Sequence, residues 1–244
     1  MAIQSRRPAF LLTRPAAQSH RFATSLRQRF GNDIAITISP LIAPSFIASP
    51  LPAGPVEALI FTSETGVAAY MAHAMRPDTL PKRAYCVGNR TAKAAALAGL
   101  EPISADGDAV ALIALICAQR PSGRLLHICG EQTRGAVAEV LTKAGIPAEA
   151  CILYRQAEQP LTKPAIALLQ GKTPVLAPLF SPRSATLFRK QVSSLGPLAP
   201  LICVVLSKAV GDTLSGLEIA KLWYADRPTA ESLLAAIEGF YPPA

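Results

Sequence analysis

The sequence has few charged residues, few aromatic residues and no long hydrophobic run. Of its 244 residues, 16% are charged, 6% are aromatic and 50% are hydrophobic. Disordered chains combine low hydrophobicity with a high net charge, so the composition excludes that class. The longest apolar run extends from Leu198 to Leu206 and contains Pro200. A membrane span needs about 18 apolar residues, so we expect no transmembrane helix.

Cysteine is too scarce and too scattered for a disulfide framework or a zinc site. The five cysteines form no CxxC pair, and most of them lie inside apolar runs. A reduced cysteine in such a run behaves as a small hydrophobic residue, which fits a reducing compartment. The apolar stretch near the N-terminus is too short for a signal sequence. We therefore expect a soluble cytoplasmic protein.

The chain is basic, with 24 Lys and Arg residues against 16 Asp and Glu residues, a net charge of +8 and a pI near 9.5. This balance fits a nucleic acid, an anionic membrane surface or a polyanionic small molecule as partner, and it also occurs in ordinary soluble enzymes. The basic residues are dispersed, and no aromatic residues alternate with them. This dispersion argues against nucleic acid.

Short β-type runs alternate with helical patterns along the whole chain, which predicts an α/β fold with parallel sheets covered on both faces. The predicted strands are 9–13, 34–38, 58–62, 84–87, 125–129, 151–154, 175–180 and 202–206. The predicted helices are 15–30, 66–74, 91–97, 134–144, 184–192 and 229–238.

Two breaks divide this pattern into a central block and two flanks. A proline-rich stretch at 39–55 and a polar stretch at 155–164 bracket the block. The first flank supplies only two strands, which is too few for a sheet of its own. We therefore predict a discontinuous α/β domain, an inserted α/β domain and a cleft between them. The predicted domains are 1–38 plus 165–244 and 53–150, with linkers at 39–52 and 151–164.

Six predicted strands are each followed by a small or hydroxyl residue and then by a helix start. In open α/β sheets, ligands bind at such turns, where helix N-termini present unpaired N–H groups to anions. Serine and threonine are also ordinary N-caps, so a single turn of this kind carries little weight. Three arginines among the turns (Arg14, Arg134 and Arg183) favour an anion-binding surface. The turns are 11–17, 60–67, 86–92, 128–136, 179–185 and 204–210.

Familiar catalytic motifs are missing from the sequence. It contains no HExxH, GxSxG or Walker motif and no GxGxxG after a strand. The three histidines lie far apart, and His127 falls inside a strand, where a core role is expected. Glu131 is the best-placed carboxylate, although helix capping is an equal alternative. An enzyme of this sequence would have to use hydroxyls, backbone amides, arginines and a tyrosine.

An ordered set of short motifs runs along nearly the whole chain. These motifs are LLTRP at 11–15, LIFTSETGV at 59–67, YCVGNRTAKA at 85–94, LLHICGEQTRG at 125–135, CILYR at 151–155, LFSPRSA at 179–185 and ADRPTAESLLAAI at 225–237. In this order and at this spacing, the set resembles the uroporphyrinogen-III synthase family.

The resemblance implies two α/β domains joined by a two-stranded linker ladder, formed by residues 36–42 and 152–156, with a wide cleft between the domains. It also implies cyclisation of hydroxymethylbilane, which carries eight carboxylates, to uroporphyrinogen III with inversion of the terminal pyrrole ring. No cofactor is implied. We expect a monomer, and a transient hand-off of substrate from the preceding enzyme stays open.

Residue roles follow from the same resemblance. Tyr154 would donate a proton or a hydrogen bond to the leaving hydroxyl, or it would pack as a structural tyrosine of the ladder. Val210 departs from the family pattern, because the second VGxxTA-like turn of many relatives carries a threonine there. The expected substrate-binding residues are Thr13, Arg14, Thr62, Ser63, Gly88, Thr91, Gly130, Arg134, Ser181, Arg183 and Ser207.

Two other functions fit part of the sequence. A two-lobed protein that captures a polyanion or tetrapyrrole without turnover would have the same geometry. A basic nucleic-acid-binding protein would show a steep dependence of binding on salt, but the dispersed charge disfavours it.

Overall fold

Parallel strands and helices alternate in the computed structural model, which describes residues 7–74, 81–132, 136–239 and 241. The contacts divide the chain into two units. The terminal unit comprises the described residues within 1–43 and 158–244, and the inserted unit comprises those within 44–157. Both boundaries between the units fall inside the predicted linkers at 39–52 and 151–164. The predicted domain limits themselves stay a prediction.

The elements are as follows. The strands are β1 (Ala9–Leu12), β2 (Ile36–Ile38), β3 (Ile42–Phe46), β4 (Ala58–Phe61), β5 (Arg83–Cys86), β6 (Glu101–Ser104), β7 (Leu125–Gly130), β8 (Ala148–Glu158), β9 (Val175–Leu179), β10 (Leu201–Val205) and β11 (Lys221–Tyr224). The helices are α1 (Ala16–Phe30), α2 (Glu64–Met71), α3 (Asn89–Leu97), α4 (Ala109–Gln119), α5 (Val137–Lys143), α6 (Lys163–Leu169), α7 (Pro182–Val192), α8 (Lys208–Asp212) and α9 (Ala230–Glu238).

The terminal unit is built on a five-stranded parallel sheet in the order β11-β10-β9-β1-β2. Its central strands β1, β9 and β10 are buried along their whole length. Such strands need apolar residues on both faces, which explains their continuous hydrophobic runs. Helix α1 covers one face with Phe22, Leu26 and Phe30, which recur every four residues. It ends at Gly31, whose φ of 94° suits glycine.

The inserted unit is built on a six-stranded sheet in the order β3-β8-β7-β4-β5-β6. The strands from β8 to β6 run parallel. Alternate residues of β4 face two separate apolar clusters, with Leu59 and Phe61 in one and Ala58 and Ile60 in the other. The sheet is therefore covered on both faces, as the sequence predicts.

Three edge strands (β3, β6 and β11) and three helices (α4, α6 and α8) lie outside the predicted elements, whereas the edge strand β2 lies within the predicted strand at 34–38. Helix α4 is apolar nearly all round, with Val110 72% exposed, so its sequence lacks the periodicity that identifies a helix. Strands β6 and β11 are short edge strands with polar residues, which gives them a weak β signal. Helices α6 and α8 are only seven and five residues long.

Two sequence-based assignments are wrong: the first strand of the linker ladder and the alternative role of Glu131 as a helix cap. Residues Ile36–Ile38, which the resemblance assigned to a linker ladder, pair with β1 in the five-stranded sheet. Strand β3 is the neighbour of β8, and the Ile47 N–H donates to the Leu153 carbonyl at 2.8 Å. Helix α5 begins at Val137 with Ala136 as its N-cap, so Glu131 does not cap it. The ladder as a link between domains stays a prediction.

The helices within the described part of the chain lack the length and apolar character needed to cross a bilayer.

His127 is a buried titratable residue in the inserted unit. Only 2% of its surface is exposed, and its Nε2 lies 3.4 Å from the Thr62 Oγ1. Burial penalises the charged imidazolium and lowers the pKa of His127 from 6.5 to about 4. The sequence-based expectation of a core histidine is therefore confirmed.

The pKa of His127 predicts a loss of stability in mild acid. Below about pH 6.5 the unfolded chain takes up a proton that folded His127 does not, so unfolding becomes easier as the pH falls towards about 4. Between about pH 7 and about pH 5 this linkage costs about 2 kcal/mol of the free energy of unfolding. Urea unfolding should show that loss in the unmodified protein and a smaller one in His127→Gln.

The matched control is His20→Gln on the exposed part of α1, which should keep the pH dependence of the unmodified protein. Equal pH dependence in His127→Gln and the unmodified protein would contradict the assignment.

Candidate functional site

Predicted site residues of the inserted unit meet at the carboxyl edge of its sheet. Because the strands from β8 to β6 are parallel, their C-terminal ends lie along one edge. Thr62 and Ser63 follow β4, Gly88 follows β5, and Gly130 ends β7. Ligands of open α/β sheets bind at this edge. The structure therefore brings these residues together with Tyr154 of β8.

Ser63 connects the start of α2 to Tyr154. Its Oγ accepts a hydrogen bond from the Gly66 N–H at 3.1 Å, which makes it the N-cap of the helix. The same Oγ lies 3.0 Å from the Tyr154 hydroxyl, and either group is able to donate that hydrogen bond. The phenol is thus held by a side chain that is itself fixed by a helix terminus.

The Tyr154 ring lies directly on Gly130. A Cβ added at Gly130 would be 2.6 Å from Tyr154 Cε2 and 2.8 Å from Cζ, which leaves no room for any side chain. The register of β7 and β8 shifts here, because Cys129 pairs with Ile152 whereas Gly130 pairs with Tyr154. This bulge sets Tyr154, in place of Leu153, opposite Gly130. Glycine at 130 and the bulge together give the ring its position.

A pocket of about 420 Å³ opens beside this pair. Most of the residues that line it are polar by type, among them Thr62, Ser63 and Tyr154, although apolar atoms make up most of the exposed lining. The charged residues among those that line it are Asp108, Glu131 and Arg155. The complete lining is Thr62, Ser63, Val87, Asp108, Ala109, Gly130, Glu131, Gln132, Tyr154, Arg155 and Gln156.

The start of α3 supplies backbone donors next to this edge. Gly88 is its N-cap, and a glycine cap leaves the N–H groups of the first turn without a side-chain acceptor of the cap's own. Thr91 is only 5% exposed, so its side chain packs inside the unit. Any contribution of Thr91 to binding would therefore come from its backbone.

The predicted site residues of the terminal unit gather at the carboxyl edge of the five-stranded sheet. Thr13 and Arg14 follow β1, Ser181 and Arg183 follow β9, and Ser207 follows β10. Thr13 is only 1% exposed, so its hydroxyl is enclosed by protein. Arg183 is exposed.

Arg14 is held by contacts within the terminal unit. Its guanidinium lies 3.9 Å above the centre of the Phe180 ring, and its Nε donates to Gln18 Oε1 at 3.1 Å. Burial, with a smaller contribution from Arg21, lowers the pKa of Arg14. These contacts favour a structural role for the Arg14 side chain, which packs on Phe180 and holds Gln18.

Serines cap two helices at the same edge. The Ser181 Oγ accepts from the Ser184 N–H at 3.3 Å and caps α7. Ser207 is the N-cap residue of α8, but its side chain accepts no capping hydrogen bond from the described residues of that helix. The hydroxyl of Ser181 is thus engaged by its own helix.

A second tyrosine on a glycine was not predicted from the sequence. A Cβ at Gly211 would lie 2.6 Å from the Tyr224 hydroxyl oxygen. Tyr224 ends the edge strand β11 and is 44% exposed. The strand–turn–helix pattern of the sequence does not reveal this pair, because α9 begins only at Ala230, six residues after the last residue of β11.

Other pocket residues also lie outside the sequence-based set. Asp108 gives the signal of an N-cap, and its Oδ1 does accept from the Val110 and Ala111 N–H groups. Gln156 lies in the middle of a strand, where a polar residue carries no functional signal. Arg134 lies outside the described residues. The residues that the structure describes contain no group of three or more His, Cys, Asp or Glu side chains able to hold a metal ion.

The fold and the site define a two-unit α/β protein with a pocket beside a tyrosine at the carboxyl edge of one sheet. A uroporphyrinogen-III synthetase structure from Helicobacter pylori 26695 is 16% identical and has a TM-score of 0.56, covering 93% of this chain and 97% of its own. This likeness shows a shared fold. A mutant uroporphyrinogen III synthase from the extremely thermophilic bacterium Thermus thermophilus is also 16% identical, with 95% and 97% coverage and a TM-score of 0.44. No curated protein sequence matches the chain.

Residues 22–235 match the family described as uroporphyrinogen-III synthase HemD. The match spans most of the chain, so the protein belongs to the uroporphyrinogen-III synthase family. Members of this family are cyclising hydro-lyases of heme biosynthesis, and their substrate is the linear tetrapyrrole hydroxymethylbilane. The resemblance read from the sequence is therefore confirmed.

The packing of Tyr154 on Gly130 predicts the effect of a single methyl group. Gly130→Ala must displace the ring and break the 3.0 Å contact between the Tyr154 and Ser63 hydroxyls. We expect a fall in kcat for conversion of hydroxymethylbilane by about tenfold or more, since a misplaced catalytic group can cost about a hundredfold. Steady-state kinetics measure it.

Gly239→Ala is the matched control. Gly239 has a φ of −60°, and an added Cβ there meets its nearest neighbour at 3.6 Å, an ordinary contact. This variant should keep full activity. A Gly130→Ala protein that folds normally and retains the kcat of Gly239→Ala would show that the ring position is unimportant.

Proposed function

We propose that the chain converts hydroxymethylbilane to uroporphyrinogen III, with the reaction centred on the pocket beside Tyr154. One observation carries the proposal: a phenol, hydrogen-bonded to the N-cap serine of α2 and packed on a glycine, lines a pocket at the carboxyl edge of a parallel sheet. A phenol held in this way is a suitable donor to a leaving hydroxyl.

Tyr154 is assigned the role of proton donor. If the Ser63 hydroxyl donates to the phenol oxygen, the phenol proton is free to point into the pocket. The Ser63 bond would then stabilise the negative charge that develops on that oxygen. Phenol is a weak acid, so the leaving group must depart with help from the substrate itself.

The substrate supplies this help. The nitrogen of the pyrrole ring that bears the hydroxymethyl group donates electrons as the C–O bond breaks, and the oxygen leaves as water with the donated proton. The substituted carbon of the last ring then attacks the resulting azafulvene and forms a spiro intermediate. Fragmentation and recombination invert that ring before closure. The proton that the last ring loses restores the donor, so the balance is one substrate to one product and one water.

Holding the substrate in the right conformation is the main task of the protein, because unassisted closure gives the unrotated isomer. We assign contacts with the carboxylates to donors at the carboxyl edge of each unit's own sheet: the first turn of α3 after Gly88 in the inserted unit, and Ser181, Arg183 and Ser207 in the terminal unit. Several weak contacts can fix a flexible polyacid in this way. The guanidinium of Arg14 acts by positioning, given its contact with Phe180.

We further propose that the chain works as a monomer in the cytoplasm and accepts its unstable substrate close to the preceding enzyme. Among the described residues, the exposed large apolar side chains are spread over seven elements, and only Trp223 and Tyr224 share one, the strand β11. Such scattered positions support a monomer, because a stable dimer interface needs a contiguous patch.

The isomer of the product tests the proposed function. Purified protein incubated with hydroxymethylbilane should give uroporphyrinogen III, whereas buffer alone gives the unrotated isomer. Separation of the oxidised products by chromatography measures the ratio. Formation of the unrotated isomer at the rate in buffer, with substrate bound, would instead identify a tetrapyrrole-binding protein without turnover.

A further inference from the structure

We infer that the pocket beside Tyr154 receives the reacting hydroxymethylpyrrole end of the substrate and excludes its carboxylates, with Glu131 and Asp108 as the residues that make this selection. The inference rests on the proposed function and adds to it a division between the two kinds of group that the substrate carries.

The described residues that line the pocket carry a net negative charge, whereas the chain is basic. The full sequence carries +8, yet the charged residues that line the pocket within the described part of the chain are two carboxylates and one guanidinium. A substrate carboxylate entering the pocket would approach the exposed residues Asp108 and Glu131. Two like charges about 4 Å apart repel by about 1 kcal/mol in water and by several times that where water is partly excluded. The pocket is therefore unfavourable for an anion.

Hydrogen bonding in the pocket favours a donor. A pyrrole ring presents an N–H group, and the lining offers carboxylate, hydroxyl and amide oxygens as acceptors. The Asp108 Oδ1 already accepts two backbone N–H groups at the start of α4, which fixes this side chain. A carboxylate has acceptor sites beyond those two bonds. The lining also holds donors, notably the Arg155 guanidinium, so its acceptors suit the N–H edge of the reacting ring when the two carboxylates of that ring point away from the pocket.

The same carboxylates suit the charge that forms in the reaction. When the C–O bond breaks and the hydroxyl leaves as water with the proton from Tyr154, the ring becomes an azafulvenium cation, which persists until the last ring attacks it. Preorganised negative charges that face a developing cation lower the barrier. Glu131 is tied to this place by its own backbone, since the Glu131 N–H donates to the Tyr154 carbonyl at 2.9 Å. Glu131, which carries the charge, and Tyr154, which carries the proton, are thus linked by a backbone hydrogen bond.

Two substitutions remove the charges and keep the shape. Glu131→Gln is isosteric, and Asp108→Asn keeps an oxygen for the N-cap of α4. We expect each change to lower kcat by about tenfold, equal to about 1.4 kcal/mol of barrier, and to leave KM within about twofold. The double variant should fall further.

Glu101→Gln is the matched control. Glu101 is exposed and begins β6, so it lies at the amino edge of the same sheet. Its removal changes the net charge by the same amount and measures the long-range effect of charge on binding of a polyanion. We expect its kcat to equal that of the unmodified protein.

The kinetic changes distinguish a pocket that receives the reacting ring from a pocket that binds a carboxylate. If the pocket binds a carboxylate, Glu131→Gln and Asp108→Asn will lower KM several-fold relative to Glu101→Gln and leave kcat unchanged, and the inference is overturned. Equal kinetics in all three variants overturn it as well. Thermal unfolding midpoints within a few degrees of the unmodified protein show that the variants are folded.

Failure of the proposed function would look different. In that case the unmodified protein makes no uroporphyrinogen III, and the variants are not needed to show it. An active unmodified protein with unaffected variants leaves the proposed function in place and removes the inference alone.

Discussion

The position of the Tyr154 ring is the constraint on which the candidate site depends. The ring occupies the space of a side chain at Gly130, the bulge at Leu153 turns it towards the pocket, and the N-cap of α2 holds its hydroxyl. Each of these parts is backbone or is fixed by backbone. A weak acid such as phenol can serve in catalysis when its position is fixed in advance, because no reorganisation is then needed during the reaction.

In the proposed function, different parts of one substrate meet surfaces of different charge. The chain is basic overall, and helix starts with partly unpaired N–H groups lie along the sheet edges, which suits carboxylates. The pocket beside Tyr154 carries Asp108 and Glu131 instead. A substrate with eight carboxylates and four pyrrole rings needs both environments. The sequence total of +8 does not reveal this division, because it averages over the whole surface.

The sequence predicts the fold better than it predicts the site. Buried strands such as β4 and β9 are continuous apolar runs, and parallel pairing then brings Ser63, Gly130 and the end of β8 to one edge. The contact between Tyr154 and Gly130 depends on a register shift of one residue, which leaves no mark in the pattern. Asp108 gives only the signal of a helix cap. Burial of Thr13 likewise depends on packing across strands, which a linear pattern does not contain.

In the proposed mechanism, geometry selects the product isomer and the Tyr154 hydroxyl only accelerates the reaction. The most direct test is the isomer composition produced by Tyr154→Phe at enzyme concentrations high enough to outrun spontaneous closure. We predict slower turnover and the same product, uroporphyrinogen III, because phenylalanine keeps the ring on Gly130. The unrotated isomer as the main product, with substrate bound as tightly as before, would contradict the account.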